Sequence, residues 1–481
     1  MIKRGYEMSF EERTLLEKDL ISLFALEENH FNDFKSKDIE GKKLSRTISA
    51  FANASGGDIY IGIREENDTK IKHWEGFKSI EDANGFIQMI SNLLVLTNNY
   101  EVVFLKHPVL ATYVLQVTIF KTQAIVYCTD GEVPYIRKGA QNLPCNTREK
   151  IRRLELDKGI SSFENEVVAE SDLSDVNNSI IWEEFKKNIV PDTNTEIWLK
   201  KQRLFIGEKL TVAALLLFSD EPQICLPKRS SIKIFRYQTG GEAERDTLVG
   251  VPITVEGCAY SQIYEAVSKT KEIIESIRKF GKEFETIEYP EETLHEIITN
   301  AVLHRDYSIA TDIQIRIFDN RVEVESPGRL PGYVTVDNIL TAQSARNPKI
   351  VRLINKFPEA PNKDVGEGLN TAFEAMAKLR LKEPIIEEND NSVLVIIKHE
   401  KLASPEDLVV DYLLKNDSIT NRVGRNITGI KSENSMKRIF WKLRDAGMVY
   451  MIGAGSVAAW KKTADFENKA KNLSTGKNKE N

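Results

Sequence analysis

A chain of 481 residues, 41% hydrophobic and 29% charged, has room for three or four domains with buried cores of their own. Its net charge of −6 argues against indiscriminate nucleic-acid binding by the whole surface, and no apolar run approaches the length of a bilayer-spanning helix. Cys128, Cys145, Cys225 and Cys258 are too scattered for a disulfide framework or a closed zinc site, a usage expected of a reducing cytoplasm.

Residues 10–26 pattern as one amphipathic helix, too acidic for a signal peptide. The phrase HFNDFKSK then reads as a short strand carrying Asp33 and Lys35 on one face, followed by a helix to about Ala52. The run ASGGDIYIGIREEN (54–67) predicts a glycine turn and a strand. Further strands are expected at 101–105, 113–119, 124–127 and, after the Asp130-Gly131 turn, 133–137. A basic cluster of Arg137, Lys138, Arg148, Lys150, Arg152 and Arg153 marks a candidate nucleic-acid surface, with Arg137 and Lys138 as leading contacts.

The phrases NDFKSK, ISAFANASGGDIYIGI and PYIRKGA resemble the Schlafen AlbA-type domain over roughly residues 20–155. RNA-cleaving Schlafen proteins carry a Glu-x4-Glu-x-Lys cluster and a third carboxylate. The resemblance maps these onto Glu28, Asp33 and Lys35, with aspartate in place of the second glutamate, and onto Glu65 or Glu66. It implies magnesium or manganese held by Glu28 and Asp33 and a hydrolytic role for the cluster.

Residues 161–285 read as a packed α/β connector: LTVAALLLFSD as a buried helix, PKRSSIKIFRYQ as a strand, with Lys228 and Arg229 on its surface, and AYSQIYEAVSKTKEIIESIRKF as a long helix. Next comes EETLHEIITNAVLHRDY (291–307), whose Leu294, Ile297, Ile298 and Ala301 form an apolar stripe. Glu296, Asn300 and His304, four residues apart, make a polar row beside it. An amide oxygen at Asn300 suits a partly hydrated magnesium ion, and Glu296 is placed to orient or deprotonate water. A strand at 313–318, a turn at Asp319-Asn320, a strand at 321–325 ending in Ser326-Pro327-Gly328, a helix opened by Gly366-Glu367-Gly368-Leu369 and a closing strand at 392–398 follow.

With NAVLHRDY, VEVESPGRL, RNPKI and GEGL, residues 286–400 resemble the ATPase domain shared by gyrase, histidine kinases and MutL proteins. The nearer likeness is to its variant in RecG-like regulators. That resemblance implies ATP and Mg2+, with Glu296 and Asn300 as the metal-and-water pair and His304 beside them. It puts Glu325 at the adenine-facing position, Gly328 in the first glycine box, and Gly366 and Gly368 in the second. A histidine kinase is disfavoured, since no helix with a phospho-acceptor histidine precedes this domain, and a helicase lacks its phosphate loop here.

From Ser404, a possible helix cap, the pattern becomes a helix-turn-helix with a wing (401–463). Its last helix buries Ile439, Phe440 and Leu443 and presents Lys437, Arg438, Lys442 and Arg444. Residues 464–481 are expected to be a disordered tail. The sequence thus predicts an α+β multidomain protein: a Schlafen-type domain (1–160), the connector, the ATPase domain and a winged helix. The expected function is ATP-gated binding of DNA or RNA by a cytoplasmic homo-oligomer. A metal-dependent nuclease is the alternative.

Overall fold

The computed structural model describes residues 10–66, 68–94, 99–129, 131–226, 230–279, 285–286, 290–361, 368–379, 381–398, 405–428, 430, 432–453, 458–467 and 469–470. Among the expectations, Asp130, Lys228, Arg229, Gly366 and Ser404 lie outside them. The described residues fall into two compact units, one within 1–271, 291–373 and 384–397, the other within 272–290, 374–383 and 398–481. The chain is α+β throughout.

The first unit begins with a five-stranded sheet in the order Glu11–Thr14, Tyr100–Lys106, Tyr113–Ile119, Gly57–Ile61, Asn32–Lys35. The helix expected over 10–26 is split. Glu11–Thr14 pairs in parallel with Tyr100–Lys106, and the helix starts only at Glu17, where the Leu16 N–H donates to the Asp19 carboxylate. Long-range ladder hydrogen bonds override the local helical pattern, which periodicity within one segment cannot report.

Helix Gly41–Asn53 crosses this sheet and is buried almost all round: Leu44, Ile48, Phe51 and Ala52 pack onto Ile59, Ile61, Leu115 and Val117. Its polar residues are buried because they do the work of a strand. The Val126 N–H donates to Asn53 Oδ1 (2.9 Å), and the Val126 carbonyl accepts from Asn53 Nδ2 (2.8 Å) and Ser49 Oγ (2.6 Å). Residues 124–127 therefore form no strand of their own, only a bridge from Tyr127 to Pro134. Their backbone groups are satisfied by side chains.

A six-stranded sheet follows in the order Ile253–Val255, Ile232–Arg236, Ile313–Ile317, Arg321–Pro327, Ser392–Lys398, Ile385–Glu388. Its first two strands come from the stretch expected to be a connector, and Ile232–Arg236 runs parallel to Ile313–Ile317. The boundary expected at 285 thus cuts through one sheet. An exposed edge at Ile313 would leave ladder groups unpaired, and the earlier strands cover it. Glu164, fully buried, accepts from the Lys349 and Ile350 N–H groups and caps helix Pro348–Ile354. Burial pushes its carboxyl above the ordinary value against these hydrogen bonds.

In the second unit, helices Pro405–Lys415, Asn421–Thr428 and Glu433–Asp445 pack with the antiparallel strands Ser418–Thr420, Ala459–Lys462 and Val449–Ile452. Phe440 stacks on Trp460 (5.3 Å) in a core with Val409, Leu413 and Met436. The expected tail is corrected in part: Phe466 and Ala470 are buried in this core, and Lys469 Nζ donates to the Ala446 and Gly447 carbonyls. Residues 471–481 lie outside the described residues.

Candidate functional site

Helix Glu291–Leu303 turns Leu294, Ile297 and Ile298 inward, as the apolar stripe requires, and leaves Glu296 and Asn300 half-buried beside it. Asn300 Nδ2 donates to Glu296 Oε1 (2.7 Å). Its amide oxygen is thereby oriented outward from that pair. Burial raises the Glu296 carboxyl above its ordinary value against the Asn300 hydrogen bond, bringing it nearer the range of a general base. His304 stands one residue beyond the helix, its N–H still donating to the Asn300 carbonyl. Burial, with Arg346 nearby, lowers the His304 imidazole to about 4, so it is neutral near pH 7. Its Nδ1 is buried and has no hydrogen-bond partner.

These three side chains line a cavity of about 530 Å3, within the size range of small-molecule sites. One wall is the sheet, through Val324, Ser326, Ile386, Val393 and Val395; another is the segment through Gly328, Arg329, Leu330 and Val334. Residues 339–345 and Leu369 supply the remaining walls. Gly368 opens helix Gly368–Lys378, and Leu369 beside it reaches the cavity, whereas Gly366 lies outside the described residues.

Gly328 is the tightest point of the wall. Its φ of +105° is one that L side chains rarely adopt, and a Cβ there would stand 2.5 Å from Asp306 Cβ. Asp306 is held by Arg346 (3.2 Å) and Arg153 (2.8 Å). Burial alone would raise its carboxyl, but these two guanidiniums outweigh it and hold Asp306 below the usual value. The HRDY and RNPKI phrases interlock here: Asn347 Nδ2 donates to the Leu303 and Arg305 carbonyls, ending the helix, while Arg346 Nη2 donates to the Arg329 carbonyl (2.6 Å).

Glu325 is not where the sequence reading put it. Side chains alternate along strand Arg321–Pro327, so Val324 and Ser326 face the cavity and Glu325 faces the other way. There it pairs with Arg316 (2.8 Å) and accepts from Ser392 Oγ (2.7 Å). Ser326 is the residue that sequence reasoning missed; its hydroxyl donates to the Ala301 carbonyl (2.7 Å). The period of two, counted on from Val322 and Val324, was the signal that could have found it.

The N-terminal cluster is brought together differently from expectation. Asp33 is 1% exposed and accepts from Lys35 and from Arg137 Nη1 (3.0 Å). Glu28 accepts from the Phe34 N–H and lies 3.8 Å from Lys35; burial raises its carboxyl, and the neighbouring Asp33 adds to this. Glu65 is paired with Lys70 (3.1 Å) and Lys72 (3.3 Å), and Glu66 with His73 (2.9 Å). Among the described residues no group of three or more metal-ligating side chains is assembled. Glu28 and Asp33 do lie side by side, but a lysine or arginine stands against Glu28, Asp33 and Glu65, and His73 against Glu66.

Arg137, expected on a nucleic-acid surface, is 2% exposed. Its guanidinium donates to the Asn29 and Asn32 carbonyls, Asp33 and Asn142, and lies 4.8 Å from the Phe51 ring centre. No donor is left for a phosphate. Lys138 remains exposed and pairs with Asp390 (2.8 Å).

In the second unit, helix Glu433–Asp445 buries Met436, Phe440 and Leu443, while Ile439 is only partly buried. Arg438, Lys442 and Arg444 are exposed. Lys437 pairs with Glu433 (2.8 Å) and Lys442 with Glu406 (3.1 Å), contacts too solvated to hold these cations from a stronger anion.

Residues 310–397 match the family model described as Putative ATP-dependent DNA helicase recG C-terminal, and residues 28–146 match the Schlafen, AlbA_2 model. Among solved structures the chain is similar to the DIP2311 protein from Corynebacterium diphtheriae. The identity is 18%, over 95% of this chain and 97% of that one, with a TM-score of 0.39. No curated protein matches. Among the described residues no helix is long and apolar enough to cross a membrane.

Proposed function

We propose that this chain, a Schlafen AlbA-type protein with a RecG-like ATPase domain, is a regulator that binds DNA or RNA under the control of ATP. The observation that carries the reading is the cavity itself. One helix face offers it an amide oxygen, a carboxylate of raised pKa and an imidazole whose Nδ1 lacks a partner, opposite a wall closed by a glycine that tolerates no side chain. These residues fit a magnesium nucleotide. Asn300 would hold the metal, which when bound offsets phosphate charge, and Glu296 would orient or take a proton from water. His304, neutral and with its Nδ1 unpartnered, would donate or accept a hydrogen bond, and the bare Gly328 lets the wall pack directly on Asp306.

Calorimetry of the whole chain with ATP and magnesium tests this. Asn300→Ala should weaken magnesium-dependent ATP binding by about tenfold or more, with the melting temperature of the unliganded protein little changed. Wild-type affinity in that variant would remove Asn300 from the site.

The nucleic-acid half of the reading rests on the exposed face of helix Glu433–Asp445, which we read as the recognition helix of a winged helix. Phosphate contacts there would supply most of the affinity. Replacing Lys437, Arg438 and Lys442 with alanine should weaken oligonucleotide binding and flatten the slope of log affinity against log salt by roughly 2–3. An unchanged slope would assign this face to protein contacts instead. The paired state of Glu28, Asp33 and Lys35 favours binding over cleavage for the Schlafen-type domain.

A further inference from the structure

The cavity wall at 328–334 is held from behind by residues of the Schlafen-type domain. Lys121, two residues past strand Tyr113–Ile119, is 8% exposed, and its ammonium donates to the Leu330 carbonyl (2.8 Å) and the Val334 carbonyl (2.9 Å). Both of those residues line the cavity. Glu388, 3.8 Å from Lys121, accepts from the Leu330 N–H (2.8 Å), so Leu330 is gripped at both backbone groups. Arg329 reaches Ser55 Oγ (2.8 Å) and Glu388 (3.3 Å), and the Gly332 N–H donates to the Asp157 carbonyl (3.1 Å).

Behind Lys121 the chain is locked in turn. Lys158 Nζ donates to the Thr122 carbonyl, Thr122 Oγ1 and the Ala52 carbonyl (2.6 Å); the Thr122 N–H and hydroxyl also donate to the Ala52 carbonyl. Ala52 belongs to helix Gly41–Asn53, whose Asn53 and Ser49 hold residues 126 and 135. Hydrogen bonds and the chain steps 121–122 and 52–53 together therefore link the cavity wall to the strand that carries the exposed Lys138.

We infer that Lys121 is a positioning residue of the nucleotide cavity, supplied by the Schlafen-type domain, and that it couples occupancy of the cavity to oligonucleotide binding by that domain. The inference rests on the function proposed above. An ammonium fits the role because one head group spans two carbonyls while Glu388 offsets its burial. Burial pushes Lys121 down to about 8, against the opposing pull of Glu388, so the ammonium is the main form near pH 7. Any shift of residues 330–334 on filling the cavity must break or carry along both of its hydrogen bonds.

The test is reciprocal binding on the full chain, using ATP with magnesium and, as probes, a 30-nucleotide duplex DNA and the matching RNA. In the wild type, ATP should change the affinity for one probe by about fivefold or more, and that probe should change ATP affinity by the same factor. Lys121→Met keeps the stem and removes the ammonium. It should bind the probe alone as the wild type does, bind ATP about tenfold more weakly, and bring the coupling factor close to one.

Undiminished coupling in Lys121→Met, or no coupling in a wild type that binds both ligands, overturns the inference and leaves the proposed function standing. A wild type that binds no ATP brings down both. Should Lys121→Met not fold, hydrogen exchange in the wild type decides. Added ATP should slow exchange at 328–334 and at 119–123 together, and protection of 328–334 alone overturns the inference.

Discussion

Arg137→Met is expected to destabilise the Schlafen-type domain by about 3–5 kcal/mol, because it takes the buried one of two cations from a buried carboxylate. Asp33 is 1% exposed, and its partners are Lys35 and Arg137. The same substitution releases the Asn29 and Asn32 carbonyls, which the guanidinium ties to the strand Tyr135–Lys138. Thermal or denaturant unfolding of the full chain should show the loss in its N-terminal transition, with early proteolysis near residues 27–33. Adding Asp33→Asn should recover part of the stability, since the buried charge left with Lys35 alone is then gone, while the freed carbonyls keep the recovery incomplete. A surface arginine that touched nucleic acid would behave the opposite way, leaving the melting temperature in place and lowering oligonucleotide affinity.

Gly328→Ala is expected to abolish measurable ATP binding and to destabilise the first unit by roughly 3 kcal/mol. Backbone strain at such a φ accounts for about 1–3 kcal/mol and overpacking for a similar amount. The added Cβ would meet Asp306 Cβ at 2.5 Å. Asp306 cannot give way, because Arg346 and Arg153 hold it from two directions. Asn300→Ala should lose magnesium-dependent affinity in a fold of near wild-type stability, so the two variants separate a ligand of the metal from a support of the wall. Wild-type ATP affinity in Gly328→Ala would show that the 328–334 segment is no part of the site.

Much of the cavity was legible in the sequence, because its helix writes its own geometry. A step of four keeps Glu296, Asn300 and His304 on one edge of the apolar stripe, whatever packs on that stripe. The alternation in Arg321–Pro327 was legible too, and applying it strictly would have put Ser326 in the cavity and sent Glu325 to Arg316. The family phrases identified the likeness of two segments, as the matches over residues 28–146 and 310–397 show, but not that strands Ile232–Arg236 and Ile253–Val255 join the second one's sheet.

What the sequence by itself determined was therefore local: the faces of helices and strands, the turns at its glycines, and the likeness of two segments to known domains. Only the tertiary structure decided the fate of its charges. Arg137 and Lys138 are adjacent in the chain, yet one is a buried clamp and the other an exposed cation, because neighbouring residues on a strand point to opposite faces. The Schlafen resemblance offered Asp33 and Glu65 as carboxylates of a metal cluster, and the fold sets a lysine or arginine against each. Lys121 carries no motif at all. Its place under the cavity wall comes from 209 and 213 residues of sequence separation to the two carbonyls it holds. A buried charge is fixed by whichever partners the whole fold brings within hydrogen-bonding reach, and that distance is not written in any segment of the chain.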